Sequence, residues 1–287
     1  MKPASQHGVL LNSLDALDMT SLEIRVRIDA EREKYLRNVR VWIFRLAILV
    51  CGALAWQAAS GTLIDSFYVS APSLILRRVW QWLINGTIFR NVLYTLRSAS
   101  LGFGIGSLVG VFMGLLLGHS GVLKRILDPY IQAINSIPKV ALAPLFIMWF
   151  GIDLAPKVIL AAVLVWFLMF WNVYGSIVDL DQELVGIVRL MGASRGAVFL
   201  KIELPWMLSA VFVGCKTALP YSVIGAVVGE MFAATRGVGY LIQYASSQFD
   251  TTGVFAALLV LTFVVVLANE GFVYLEQQLQ PWRTEGR

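Results

Sequence analysis

Four ionisable side chains, Lys139, Lys216, Glu230 and Glu270, stand inside or at the edges of long apolar runs. A charge in hydrocarbon costs about 3 kcal/mol or more, so such groups face a partner, a cavity or water. Their chemistry is that of a polar pathway or an interface, not of bond breaking. Lys216 and Glu230 lie 14 residues apart in one run. On a helix that is a rise of about 21 Å and about 40° short of four turns, so the two share a face but cannot pair. Glu230 either borders a polar pathway or sits at a membrane interface. Lys216 either joins that pathway, or snorkels or pairs with a neighbouring helix. Lys139 and Glu270 fall near the ends of their runs, where an interfacial position accounts for them. Catalysis finds no candidates: the two histidines are His7, in a polar tail, and His119, at the solvated end of an apolar run. No HExxH, GxSxG or Walker motif is present. Cys51 and Cys215 have no metal or disulfide spacing and read as small core residues.

The elements that must position these groups cross a membrane. Residues are 58% hydrophobic and 14% charged, with a mean hydropathy of +0.73. A soluble domain carries about 25% charged residues. Six apolar segments, 41–60, 98–118, 131–150, 158–178, 208–232 and 254–274, are each long enough to cross as a helix. Runs such as VILAAVLVWFLMFW lack the alternation of a β-barrel strand. About 40 residues, including AEREKYLRNVR, precede the first segment, so a cleavable signal peptide is not expected. Residues 1–40 form a polar segment with an interfacial helix ahead of the first span. The net charge of +5 would suit nucleic acid, but the basic residues lie in short stretches between apolar runs, as topology signals do. With a cytoplasmic N-terminus, inside segments hold 14 of the 23 Lys and Arg and outside segments six. Both termini are therefore expected inside.

Glycine and proline set the character of the spans. Gly106, Gly110, Gly114 and Gly118 fall on one helical face, where a neighbouring helix can approach closely. Pro138, Pro144 and Pro220 each remove a backbone donor and mark either a kink or a moving gate. The longest inside loop, 179–205, reads as two short helices. Asp179 or Asp181 caps the first, Gly192 breaks the chain, and Ser194 caps a second helix that ends at Pro205.

Gly192, nine residues, then Ile202-x-Leu204-Pro205 resembles half of the EAA loop of permease subunits of ABC importers. SIPKVALAPLFIMWFGI (136–152), LMGASRGAVFLKIELP (190–205), VVGEMFAATRGVGYLIQYA (227–245) and LQPW (279–282) resemble the nitrate/sulfonate/taurine subfamily. The resemblance covers roughly residues 65–282. It implies an all-α membrane protein of the type I permease fold, with six transmembrane helices and a cytoplasmic coupling hairpin. The implied organisation is a cytoplasmic segment 1–40, a first span and periplasmic loop 41–90, a transmembrane domain 91–275 and a cytoplasmic tail 276–287, all in a bacterial inner membrane. It also implies a transporter subunit, not an enzyme. Coupling to an ATPase would fall to Glu183, Arg189, Gly192, Ala193, Ser194, Ile202, Leu204 and Pro205. Lys216, Pro220, Glu230, Pro138 and Lys139 would line the pathway. Implied partners are a second permease copy, two ATP-binding cassette subunits, a solute-binding protein and lipid. The chain itself would bind no cofactor, ATP and Mg being used by the partner. Cargo would be a small anion of sulfonate, taurine, nitrate or carboxylate type, or alternatively a vitamin precursor. A passive channel would need no ATPase. The chain departs from the family at Gly186-Ile187-Val188, where Glu-Ala-Ala would begin; Glu183, one turn earlier on nearly the same face, offers a substitute acid.

Overall fold

In hydrocarbon each backbone polar group must be satisfied within its own segment, which leaves helices as the economical answer for runs this apolar. The computed structural model describes residues 6–279, and within them every extended element is a helix. Two compact units result, Met1–Ile64 and Asp65–Arg287. The first is α1 (Gln6–Ala59), unbroken through the expected interfacial segment, with the turns that follow it. Its apolar portion, Tyr35–Ala59, buries none of its side chains. Cys51 is accordingly exposed, not a core residue.

The second unit holds α2 (Pro72–Ile84), α3 (Thr87–His119), α4 (Gly121–Asn135), α5 (Ala143–Phe150), α6 (Leu154–Val178), α7 (Gln182–Leu190), α8 (Arg195–Val198), α9 (Leu204–Ala233), α10 (Val238–Ser247) and α11 (Thr251–Leu279). Its spine is α6, which packs on α3 along one side and on α9 along another. The glycine face is responsible for the first contact. A Cβ at Gly110 would lie 2.6 Å from the Met169 Cβ, and one at Gly114 would lie 2.9 Å from the Val173 Cβ. Gly102, Gly106 and Gly118 are equally closed against Ala161, Ala162 and Ile177. Small residues thus let two backbones touch where lipid supplies no hydrophobic drive.

Five helices among the described residues are long and apolar enough to cross a membrane. The third apolar segment differs from expectation. It is no straight span but a pair, α4 and a 3-10 turn (Lys139–Leu142) running into α5, bent by 78°. Pro138 stands at the break and lacks a donor, while Pro144 opens α5. Counting that pair as one broken span gives six. Pro220, by contrast, sits inside an uninterrupted α9.

Two short helices, α2 and α10, lie in stretches that composition marks only as loops. α2 is fastened to the start of α11 by the Arg78–Asp250 ion pair and by the Ser70–Thr252 hydroxyl contact at 2.8 Å. The LQPW motif falls largely outside the described residues.

Candidate functional site

The loop 179–205 folds into a hairpin at the α6 C-terminus. Asp181 begins it, its carboxylate accepting from the Glu183 N–H at 2.8 Å. α7 ends in a Schellman closure: Gly192 takes φ +94°, its N–H donates to Arg189 O at 3.0 Å, and the Ala193 N–H donates to Val188 O at 3.3 Å. A residue with a Cβ is disfavoured at that φ, which gives Gly192 its place. Ser194 then caps α8, accepting from the Ala197 N–H at 3.2 Å.

The second arm does not stop at Pro205, as expected, but runs into α9 through a π turn (Phe199–Glu203), giving one helical run from Arg195 to Ala233. Proline has no N–H to continue an α-helical ladder, and the wider turn absorbs the missing bond.

The hairpin carries its own small core of Leu180, Val185 and Val198, with Val188, Ala193 and Ile202 packed on it. Leu204 belongs elsewhere, beside Val173, Ile177 and Met207 of α6 and α9. Trp206 donates to Ser176 O at 2.9 Å, a further tie between the hairpin's exit and α6. His119 meets Glu203 at 3.1 Å, so it joins the end of α3 to the π turn instead of being merely solvated. Glu183, Arg189, Arg195 and Lys201 are exposed. So are the apolar side chains Ile187, Leu190, Met191 and Leu200, Leu190 at 90% and Met191 at 81%. Sequence reasoning missed these four. For Ile187 and Leu190 the signal was available, since apolar residues that a nine-residue helix cannot bury must face outward.

At the opposite end of α9, Glu230 is 1% exposed and holds the turn that follows. Its Oε2 accepts from Thr95 Oγ1 and from the Gly239 N–H, each at 2.9 Å, and Ser98 Oγ lies 3.5 Å from Oε1. Thr95 Oγ1 in turn accepts from the Val238 N–H at 2.9 Å, and Asn91 Oδ1 from the Gly237 N–H at 2.8 Å. The first amides of α10 are therefore capped by side chains of α3 and α9, with a carboxylate at the positive helix end. Gly237 takes φ +116°, and a Cβ there would fall on the Glu230 carboxylate.

Lys157, in the short stretch between the apolar segments 131–150 and 158–178, is fully buried in the first turn of α6. Its Nζ donates to Ile152 O and to Asp153 O, which consumes the free carbonyls of the preceding turn. Its stem packs on Gly229, beside Glu230.

The remaining pathway candidates are separated. Lys216 is exposed on α9, about four turns from the buried Glu230. Lys139 bonds Asn135 O at 3.1 Å and lies 4.0 Å above the Phe167 ring. Pro138 is exposed at the α4–α5 break and Pro220 is half-buried in α9. No group of three metal-ligating side chains occurs among the described residues.

Comparison with known proteins agrees with this fold. Residues 106–281 match the family model for the binding-protein-dependent transport system inner membrane component. A Bacillus subtilis protein named for aliphatic sulfonate transport is 28% identical over 90% of this chain and 94% of its own length. The riboflavin transport permease of Chloroflexus aurantiacus is 34% identical over 79% and 85%. The taurine transport permease of Escherichia coli is 27% identical over 87% and 92%. A chain of the MetNI methionine ABC transporter in an inward-facing form shares the fold, with a TM-score of 0.52 and 22% identity over 68% of this chain and 94% of that one. With family and fold in accord, this chain belongs to the binding-protein-dependent transport inner-membrane component family and is a permease subunit of an ABC importer, not an enzyme.

Proposed function

We propose that two copies of this permease form the pathway for a small anionic solute in a bacterial inner membrane, with both termini cytoplasmic and lipid around the bundle. A solute-binding protein delivers cargo outside, and two ATP-binding cassette subunits that use ATP and Mg seat on the 179–205 hairpin. The observation that supports this is the hairpin itself: exposed Leu190 and Met191 at its tip, Gly192, Ala193 and Ser194 fixing its bend, and an unbroken helical run from Arg195 into α9. Exposed apolar side chains beside Arg189 suit a soluble protein cleft, and Glu183 supplies the acid that the family places one turn later. Ile202, Leu204 and Pro205 join the hairpin to the bundle, so a displacement of the tip is carried into α9. Lys216, Pro220, Pro138 and Lys139 then border the route, and Glu230 frames its outer end through the α9–α10 turn.

The anionic cargo rests on relatives named for sulfonate and taurine transport. A vitamin-type cargo is the second reading, favoured by the relative named for riboflavin transport. Competition of taurine, alkyl sulfonates and riboflavin for uptake in whole cells separates them.

The coupling role is tested by Leu190→Asp and Met191→Asp. Both residues are solvent-facing, so the permease still inserts and folds. Co-purification of the ATPase and ATP-driven uptake should each fall by about tenfold or more, as for loss of an apolar hot spot. Wild-type association and uptake in both variants would contradict the role.

A further inference from the structure

At the end of the bundle that carries the Glu230 turn, α3, residues 235–236 and α10 line a half-open recess of about 720 Å³. Small-molecule sites span about 300–1,000 Å³. Its walls present three guanidinium groups, Arg90, Arg97 and Arg236, and three tyrosines, Tyr94, Tyr240 and Tyr244. Arg90, Tyr94 and Arg97 follow at spacings of four and three and form one stripe of α3. Tyr240 and Tyr244 form a second stripe on α10, with ring centres 5.8 Å apart.

Arg236 comes from the turn between α9 and α10. The adjacent Gly237 N–H is bound to Asn91, a buried residue of the recess floor. That bond, one residue away and next to those that satisfy Glu230, fixes the backbone from which the third arginine extends.

No acidic side chain lines this recess. Among the described residues, ion pairs join Arg78 to Asp250 and His119 to Glu203, and none involves the three arginines of the recess. Of the acids nearby, Glu230 is engaged by Thr95 and Gly239, and Asp153 does not line the recess. The three arginines are solvent-exposed and line one recess with Thr87 at the positive end of α3, a concentration of positive charge that an anion complements.

We propose that this recess binds a tetrahedral oxyanion group, a sulfonate or a phosphate, with the guanidinium groups as paired donors and the tyrosine rings flanking the apolar part of the molecule. The same chemistry has two sources, a solute on its way into the pathway and the headgroup of an anionic lipid. The solute source rests on the anion reading above; the site itself does not.

The test uses the full chain assembled with its ATPase subunits in nanodiscs, without ATP. In phosphatidylcholine discs, p-toluenesulfonate is titrated as the probe. In discs containing phosphatidylglycerol, the retained anionic lipid is counted by native mass spectrometry. Arg97→Gln and Arg236→Gln should weaken sulfonate binding by about tenfold or more, each charge-assisted pair of bonds being lost. Sulfonate binding that the variants weaken assigns the solute source. Lipid retention lost in the variants, with no sulfonate bound in any form, assigns the headgroup. Neither probe responding to the variants overturns the proposal. So does an effect confined to capture of the solute-binding protein, which would make the arginines a protein-docking surface. ATPase co-purification, unchanged in these variants, keeps this result separate from failure of the coupling role.

Discussion

A carboxylate survives inside an apolar bundle only where its oxygens are satisfied, and Glu230 achieves this by serving as the cap of another helix. Hydrogen bonds to a charged group are worth about 1.5–3 kcal/mol each. Thr95→Val removes both the donor to Glu230 and the acceptor for the Val238 N–H, and should lower stability by about 2–3 kcal/mol, with Thr95→Ser close to wild type. Gly237→Ala places a Cβ on the carboxylate at a φ of +116° and should cost about 1–3 kcal/mol. Thermal unfolding of the solubilised chain checks both, and an unchanged midpoint for either would mean that the turn is not held in this way. Sequence showed Glu230 as an ionisable residue in a span but not what it does. Its partner Thr95 is 135 residues away and Asn91 pairs across 146, whereas spacing arguments reach only along one helix. Lys157 was hidden for a related reason: a lysine that closes the carbonyls of its own preceding turn looks, in sequence, like any loop cation.

Periodic features were legible at the scale of elements, and aperiodic ones were not. The glycine face of α3 repeats every four residues, and the structure uses it as that repeat implies, against α6. Gly110→Ala should therefore destabilise by about 1–3 kcal/mol, since its Cβ would stand 2.6 Å from that of Met169. Gly104→Ala, with nothing within 4 Å of its Cβ, should be neutral or slightly stabilising. Paired midpoints measure the difference, and equal effects would deny the close α3–α6 approach. The two helix caps at Asp181 and Ser194 and the break at Gly192 were readable because each rests on one residue's local chemistry. The 78° bend between α4 and α5 and the π turn ahead of α9 were not. Proline announces a missing donor, but whether the chain kinks, breaks or widens its turn depends on what packs around it. Pro220 leaves α9 continuous while Pro138 ends a helix.

Across the whole molecule, the two ends of α9 do different work. One end is fused to a hairpin with its own core and an exposed apolar tip; the other is fastened to α3 and α10 through Glu230. On the proposed coupling, the unbroken α9 carries a displacement of the first end to the second. The His119–Glu203 contact is partly exposed and contributes below about 1 kcal/mol, so it orients the π turn more than it stabilises the fold. The direct test of mechanical continuity leaves both ends intact and softens the joint. Two glycines inserted between Lys201 and Ile202, within the π turn, should leave ATPase binding and ATP hydrolysis near wild type in the reconstituted transporter. Solute uptake per ATP should fall by about tenfold or more, because flexible residues do not transmit displacement. Uptake that still tracks hydrolysis as in the wild type would contradict transmission through the Arg195–Ala233 helix.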